Sequence, residues 1–270
     1  MAATSESFFT VEHDHDGDWP DGEWVVPTDL CRGPWDPDAC HAGPPTGMLA
    51  RAAERLVPEQ RLVRITVDLI RPIPHAGVRI NGEVTRTGRT VSTTQLSIIG
   101  ADGRVAVTAR SLHMAPQAEA ALPTATSATP RLADAVPGQF PIQAGRHGLP
   151  MFAGGVEMRY PVGQDHRPGP TTAWMRTVPL LPDEEVPGFA RICPLADCGN
   201  AISRNAEPGP IAFLNTDLTV VLHREPVGDW FGMHSVSHWQ SDGLGMSDSL
   251  LFDDRGPVGR ALQSLIIQTA

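Results

Sequence analysis

Acidic and imidazole side chains crowd together in His13-Asp-His-Asp-Gly-Asp18, and alternating donors of this kind can make a cation site. A calcium loop opening at Asp14 would need a glycine where Trp19 stands and a bidentate glutamate where Val25 stands. The run therefore reads as a solvated loop or hairpin tip. His234 and His238 stand four apart in a strand-like segment and share one face, with no HExxH pattern or third ligand beside them. Cys31, Cys40, Cys193 and Cys198 form no CxxC pair and no zinc-knuckle spacing. No GxSxG elbow announces a serine hydrolase, and no GxGxxG follows a strand to cradle a dinucleotide. All 21 basic residues are arginine, which excludes a lysine Schiff base, a catalytic lysine and a Walker-type phosphate lysine. No metal and no cofactor is expected.

The remaining chemistry must come from carboxylates, amides, hydroxyls and imidazoles, held by a chain of ordinary globular make-up. Hydrophobic residues are 41% of the 270, charged residues 19%, enough for a sizeable core without disorder. The net charge of −10 argues against nucleic acid or an anionic membrane as partner. Glycine and proline, 26 each, demand many turns. The first ten residues lack the basic segment and apolar run of a signal peptide, and no apolar stretch reaches the roughly 18–20 residues of a membrane span. A soluble protein of the reducing cytosol, without disulfides, is expected.

The elements that position the chemistry repeat. Ile65-Thr-Val-Asp-Leu-Ile-Arg71 and Leu218-Thr-Val-Val-Leu-His-Arg224 share Thr66/Thr219, Val67/Val220, Leu69/Leu222 and Arg71/Arg224 at one offset. The same offset pairs Val105 with Val258, Ser111 with Ser264 and Leu112 with Leu265, each after a turn. A register that recurs so far along implies two domain-sized copies. In the first, a helix over Gly47–Leu56 ends before Pro58 and precedes strands at 62–70, 78–87, 90–99 and 104–114. In the second, a helix over 196–205 precedes strands at 212–222, 230–240, 245–252 and 258–268. Strand-like Glu23–Val26 and Ala173–Val178 lead into each unit. The expected domains are 1–114 and 151–270, joined by a linker over 115–150 that is rich in Ala, Pro, Thr and Gly and crosses the surface. The fold class is α+β.

One helix wrapped by an antiparallel sheet, twice in one chain, resembles the double hot-dog fold. His41-Ala-Gly-Pro-Pro-Thr-Gly-Met-Leu-Ala-Arg-Ala-Ala-Glu54 is similar to the loop and central helix of acyl-CoA thioesterases, and Leu69-Ile-Arg-Pro72 to the strand that follows. Leu195-Ala-Asp-Cys-Gly-Asn200, Phe213-Leu-Asn-Thr-Asp-Leu218 and Gly256-Pro-Val-Gly-Arg-Ala-Leu-Gln-Ser264 resemble three blocks of the acyl-CoA thioesterase II family. The resemblance implies two antiparallel sheets, each wrapping a central helix, and hydrolysis of acyl-CoA to free acid and CoA. It places the family's Asp on Asp197 and its Gln on Gln263. The family's hydroxyl position falls on Asn215, a departure, with Thr216 beside it.

A thioester carbonyl needs a positioned water with a base, and donors for the developing oxyanion. The expectation sets Asp197 at the start of the second helix, where backbone N–H groups and the dipole favour its ionised form. It has Asn215 and Gln263 hold the water, since an amide can orient one as a hydroxyl does. The helix opening after His41-Ala-Gly43 would offer backbone donors to the carbonyl, with Gly43 permitting close approach. Catalytic Asp197, Asn215 and Gln263 and substrate-binding His41, Gly43 and Thr216 make up the expected site. By the common offset Asp197 corresponds to Pro44 and Gln263 to Arg110, so one complete site per chain is expected. Two alternatives share the fold: an enoyl- or hydroxyacyl-CoA hydratase using His41 with a nearby acid, and a non-catalytic acyl-CoA-binding relative. A homodimer or higher homo-oligomer is expected from the relatives alone.

Overall fold

A computed structural model of the protein describes residues 6–11, 22–117, 123–125, 127–207, 209 and 211–269. The His13–Asp18 run lies outside the described residues. Alternating patterns become strands as expected. In β3 (Arg61–Leu69) Leu62, Ile65 and Val67 are buried, and in β5 (Val91–Gly100) Leu96 and Ile98 face the same core. The helix α1 (Gly43–Leu56) starts four residues before its expected position. Pro44 and Pro45 sit in its first turn, where the missing N–H groups leave no intrahelical bond unmade. It buries Met48, Leu49, Ala50 and Ala53 and stops just before Pro58.

The two expected sheets meet edge to edge in one antiparallel sheet of fourteen strands. Its order is β1 (Phe9–Val11), β2 (Gly22–Pro27), β4 (Val78–Arg86), β5, β6 (Val105–Met114), β3, β11 (Asp217–Leu222), β14 (Gly256–Thr269), β13 (Leu244–Asp253), β12 (Phe231–Trp239), β9 (Thr171–Thr177), β8 (Val156–Pro161) and β7 (Ala135–Gly138). A short β10 (Ile211–Asn215) also pairs with β14. The first half wraps α1 and the second wraps α2 (Gly188–Ala196) and α3 (Gly199–Ile202), which together form the α+β double hot-dog. The seam is β3 against β11, where Thr66 lies opposite Thr219 and the two hydroxyls hydrogen bond at 3.2 Å. Pairs on either side mirror one another, Val67 with Leu218 and Ile65 with Val220, so a local twofold runs between the threonines.

The strands keep the repeat offset of 153 residues between β4 and β12 and between β5 and β13, at both ends of each. The last strand slips by one. Gln95 faces Arg110, whereas its counterpart Asp248 faces Leu262, so Gln263 corresponds to Ser111 and not to Arg110. The helices depart further. Counted from their first residues, Gly43 and Gly188, Asp197 corresponds to Ala52 and not to Pro44.

The second helix itself differs from the expectation. It begins eight residues earlier than 196, and it is broken at Asp197-Cys198. Apart from Arg191, α2 is buried on all sides, so it has no polar face to set a helical period. Pro194 lies inside it and cannot bond to the carbonyl of Ala190. Gly47 uses the gap: a Cβ there would come 2.9 Å from the oxygen of Ala190, so α1 and α2 pack in close contact. Between the halves, Ala135–Gly138 forms the edge strand β7, and Phe140 and Ile142 are buried.

The candidate active site

Four elements from both halves converge on one carboxylate. Asp197 is only 7% exposed and caps the C-terminal end of α2, not a helix start. The negative end of the α2 dipole disfavours a carboxylate there, by roughly 0.3–1 kcal/mol, and α3 is too short to oppose it. Two side-chain amides hold it instead. Asn215 Nδ2 donates to Asp197 Oδ1 at 2.8 Å, and Gln263 Nε2 donates to the same oxygen at 3.1 Å and to the Asp197 carbonyl at 2.9 Å. Amides bonded to a buried oxygen in this way fix the carboxylate while leaving Oδ2 available.

Each amide is placed by its strand. The strand expected over 212–222 breaks at Thr216: Asn215 pairs with Leu265 but Thr219 with Leu262, one residue out of step. The bulge turns the inward side from Phe213 and Asn215 to Leu218 and Val220, as bulges beside active sites commonly re-aim a side chain. A matching register shift lies between Leu62 and Arg64 in β3. Gln263, 3% exposed, points inward from β14. Its orientation is set by the backbone N–H of Asn200, which donates to Oε1 at 3.1 Å and so leaves Nε2 for Asp197. Asn200 in turn accepts from Ser237 Oγ and Trp239 Nε1, both at 3.0 Å. Gly199 lets α3 sit this close: a Cβ would fall 2.6 Å from Ser249 Oγ and 3.1 Å from Gln263 Oε1. Asn200 is a residue that the sequence reading passed over. It stands three residues after Asp197 in the Leu195–Asn200 block, but across the break between α2 and α3, and no residue type announces a role played by its backbone N–H.

His41 enters from the first half. Its N–H donates to the Cys31 carbonyl at 2.8 Å, and its ring stacks on Phe152 with centroids 4.0 Å apart. Nδ1 lies 3.0 Å from Asp197 Oδ2 and 3.2 Å from the N–H of Gly43. One nitrogen cannot serve both at once. With its proton it donates to Asp197; without it, it accepts from Gly43. Gly43 permits this approach, since a Cβ would meet Pro194 Cα at 2.9 Å and Asp197 Cβ at 3.2 Å. The expected row of helix-start donors is not there. Pro44 and Pro45 have no N–H, Gly43 N–H points at His41, and Thr46 N–H bonds within the helix to Ala42.

A cavity of about 350 Å³ opens beside this cluster. Asp197, Asn215, Gln263, Asn200 and His41 line it together with apolar side chains from both halves. Thr216 does not join them: it is exposed at the bulge, where its N–H and hydroxyl face the Ser264 carbonyl. His234 is exposed on β12 and bonds to Thr172. Burial pushes the thiols of Cys31, Cys193 and Cys198 up, which suppresses the thiolate a nucleophile would need. Among the described residues no group of three His, Cys, Asp or Glu side chains could hold a metal ion, and no helix is long and apolar enough to cross a membrane.

Comparison with known proteins places this geometry. A candidate thioesterase from Novosphingobium aromaticivorans DSM 12444 has 18% identity and a TM-score of 0.74, over 97% of this chain and 99% of that one. The TesB protein of Mycobacterium avium subspecies paratuberculosis has 16% identity and a TM-score of 0.64, over 94% and 95%. The acyl-CoA thioesterase II TesB2 from Mycobacterium marinum has 17% identity and a TM-score of 0.62, over 86% and 90%. At these identities the likeness is one of fold. No curated protein matches the chain significantly in sequence. The family model of the acyl-CoA thioesterase N-terminal domain matches residues 31–114, and that of the acyl-CoA thioesterase C-terminal domain matches residues 123–267. Matched in order over most of its length by both halves of one family, the chain belongs to the two-domain acyl-CoA thioesterases.

Proposed function

We propose that the protein hydrolyses acyl-CoA thioesters at Asp197. The observation that carries this reading is the convergence of Asn215 and Gln263, from separate strands, on one oxygen of a buried carboxylate at the edge of a largely apolar cavity. A water at Oδ2 gives up a proton to Asp197 as its oxygen adds to the thioester carbonyl. The tetrahedral intermediate then breaks its C–S bond, and the departing thiolate recovers that proton. Acyl-CoA and water become free acid and CoA, with no cofactor consumed. His41, on the same Oδ2, orients the carboxylate and can share the proton. Release of free thiol from a panel of acyl-CoAs tests the activity. Asp197→Asn is expected to lower turnover by about 10² or more; unchanged turnover would remove Asp197 from the mechanism.

The contact between His41 and Asp197 also favours a second reading, hydration of an enoyl-CoA by that pair. Loss of enoyl absorbance from crotonyl-CoA would support it. Thiol release without any such loss, persisting in His41→Ala, would rule it out. Expected acyl-CoA binding with no turnover at any chain length would point to the non-catalytic relative. Cytosolic location stays an expectation from cysteine usage and the absence of targeting patterns, and assembly into homo-oligomers one from the family resemblance.

A further inference from the structure

The chemistry of the site comes from the two halves, but part of its wall does not. Phe140, Ile142 and Met151, all buried, line the same cavity from the stretch between β7 and β8. This stretch is fastened at several points. Tyr160 Oη donates to the Gln139 carbonyl at 2.8 Å, Arg146 N–H to the Pro34 carbonyl at 3.0 Å, and Arg32 Nη1 to the Pro150 carbonyl at 2.9 Å. Phe140 meets Phe152 edge-on at 5.6 Å, and Phe152 is the ring on which His41 stacks. A wall tied down in this way keeps its shape when substrate arrives, and it presents apolar surface alone.

From this wall and the cavity's size, and resting on the thioesterase reading, we infer that Phe140, Ile142 and Met151 form the acyl-binding surface and set chain length. The substrates are acyl-CoAs of short to medium length. A cavity of 350 Å³ lies at the lower end of the range for sites that enclose small ligands, roughly 300–1,000 Å³, which favours the shorter acyl chains. A loop segment is also the part of the wall that can vary without disturbing strand pairing.

The test measures kcat/KM across acyl-CoAs from about four to about sixteen carbons, for the parent chain, Phe140→Ala, Phe140→Leu, Ile142→Ala and Ile142→Phe. The parent is expected to lose kcat/KM with the longest of these chains. Phe140→Ala should move the optimum outward by about two to four carbons, each newly admitted methylene being worth about fourfold. Phe140→Leu and Ile142→Ala should move it less, and Ile142→Phe should move it inward. Calorimetric binding of non-hydrolysable S-alkyl-CoA thioethers to the same chains gives a second readout. Turnover with a profile that no variant moves overturns this inference and leaves the hydrolytic reading standing. Binding profiles that move with the variants, in a protein that never releases thiol, overturn the hydrolytic reading and leave this one. Equal preference for the longest chains in the parent, or binding of none, overturns the inference.

Discussion

Glu54 provides a direct test of how α1 and α2 are held together, because the structure gives its carboxyl no ordinary partner. Its Oε2 is buried without a hydrogen bond. Burial, with the negative charge of Glu225 adding to it, pushes the carboxyl up from 4.5 to about 8. Glu225 itself is occupied, since its Oε1 accepts the N–H of Phe189 at the start of α2. The folded protein therefore keeps a proton on Glu54 over a pH range in which the unfolded chain has lost it. Stability from this group is complete below the unfolded value of 4.5 and is lost as pH rises towards about 8. At 1.36 kcal/mol per unit, the loss between pH 5 and pH 7.5 comes to about 3 kcal/mol. Glu54→Gln keeps the shape and cannot ionise. Whatever constant cost the amide brings, the variant should gain on the parent by about 3 kcal/mol over that interval. In a chain of this size that corresponds to about 6–10 °C in unfolding midpoint. Thermal unfolding of both proteins at closely spaced pH values makes the measurement. A difference between them that does not change with pH would refute the reasoning, because Glu54 would then be ionised in the fold.

Other perturbations have equally definite outcomes. Arg51 joins Glu23 of the first half to Glu184 of the second, the latter through Nε at 2.6 Å and Nη2 at 2.7 Å. Arg51→Met should cost about 2–4 kcal/mol in chemical denaturation at neutral pH. Because Arg51 holds the Glu184 carboxyl below its usual value, that cost should shrink as pH falls below about 4.5 and this carboxylate takes up its proton. Gly199→Ala pushes a methyl into Ser249 and Gln263; a loss of about 1–3 kcal/mol and a parallel fall in kcat are expected from unfolding and thiol-release assays. Asn215→Thr supplies the hydroxyl that the family resemblance implies at this position and should keep kcat within about tenfold, whereas Asn215→Leu should lower it by about 10²; equal loss in both would show that a hydroxyl cannot stand in for the Asn215 amide.

Where a side chain alternates in and out, the sequence was readable. The strands from β3 to β6 and from β12 to β14 lie within two residues of their expected bounds, since period-two burial survives in them. The helix α2 was hidden for the opposite reason: buried almost all round and carrying Pro194, it shows neither an amphipathic period nor freedom from breakers. The bulge at Thr216 was equally silent, since no residue type marks one. With it went the direction of Asn215 and the place of Thr216. The shared offset over-reached in the same way, as one slipped strand and a helix displaced along the chain moved the counterparts of Gln263 and Asp197. The donors expected at the opening of α1 were excluded by residues in plain view, Pro44 and Pro45. Asn200 needed three dimensions, because its backbone N–H acts on a side chain sixty-three positions away.

The seam at Thr66 and Thr219 has a consequence for how such a protein can change. Were the two halves separate copies of one polypeptide, every substitution would be made twice, once on each side of the twofold. No alteration could serve one site without being imposed on its mirror image. Joined in a single chain, the halves are free to drift apart. At the mirror positions of Asp197, Asn215 and Gln263 stand Ala52, Leu62 and Ser111. Leu62 is buried in the core, and Ser111 is taken up by hydrogen bonds to Thr94 and His113. One side of the axis has been released to packing, and the other can accumulate polar groups that symmetry would have forced on both.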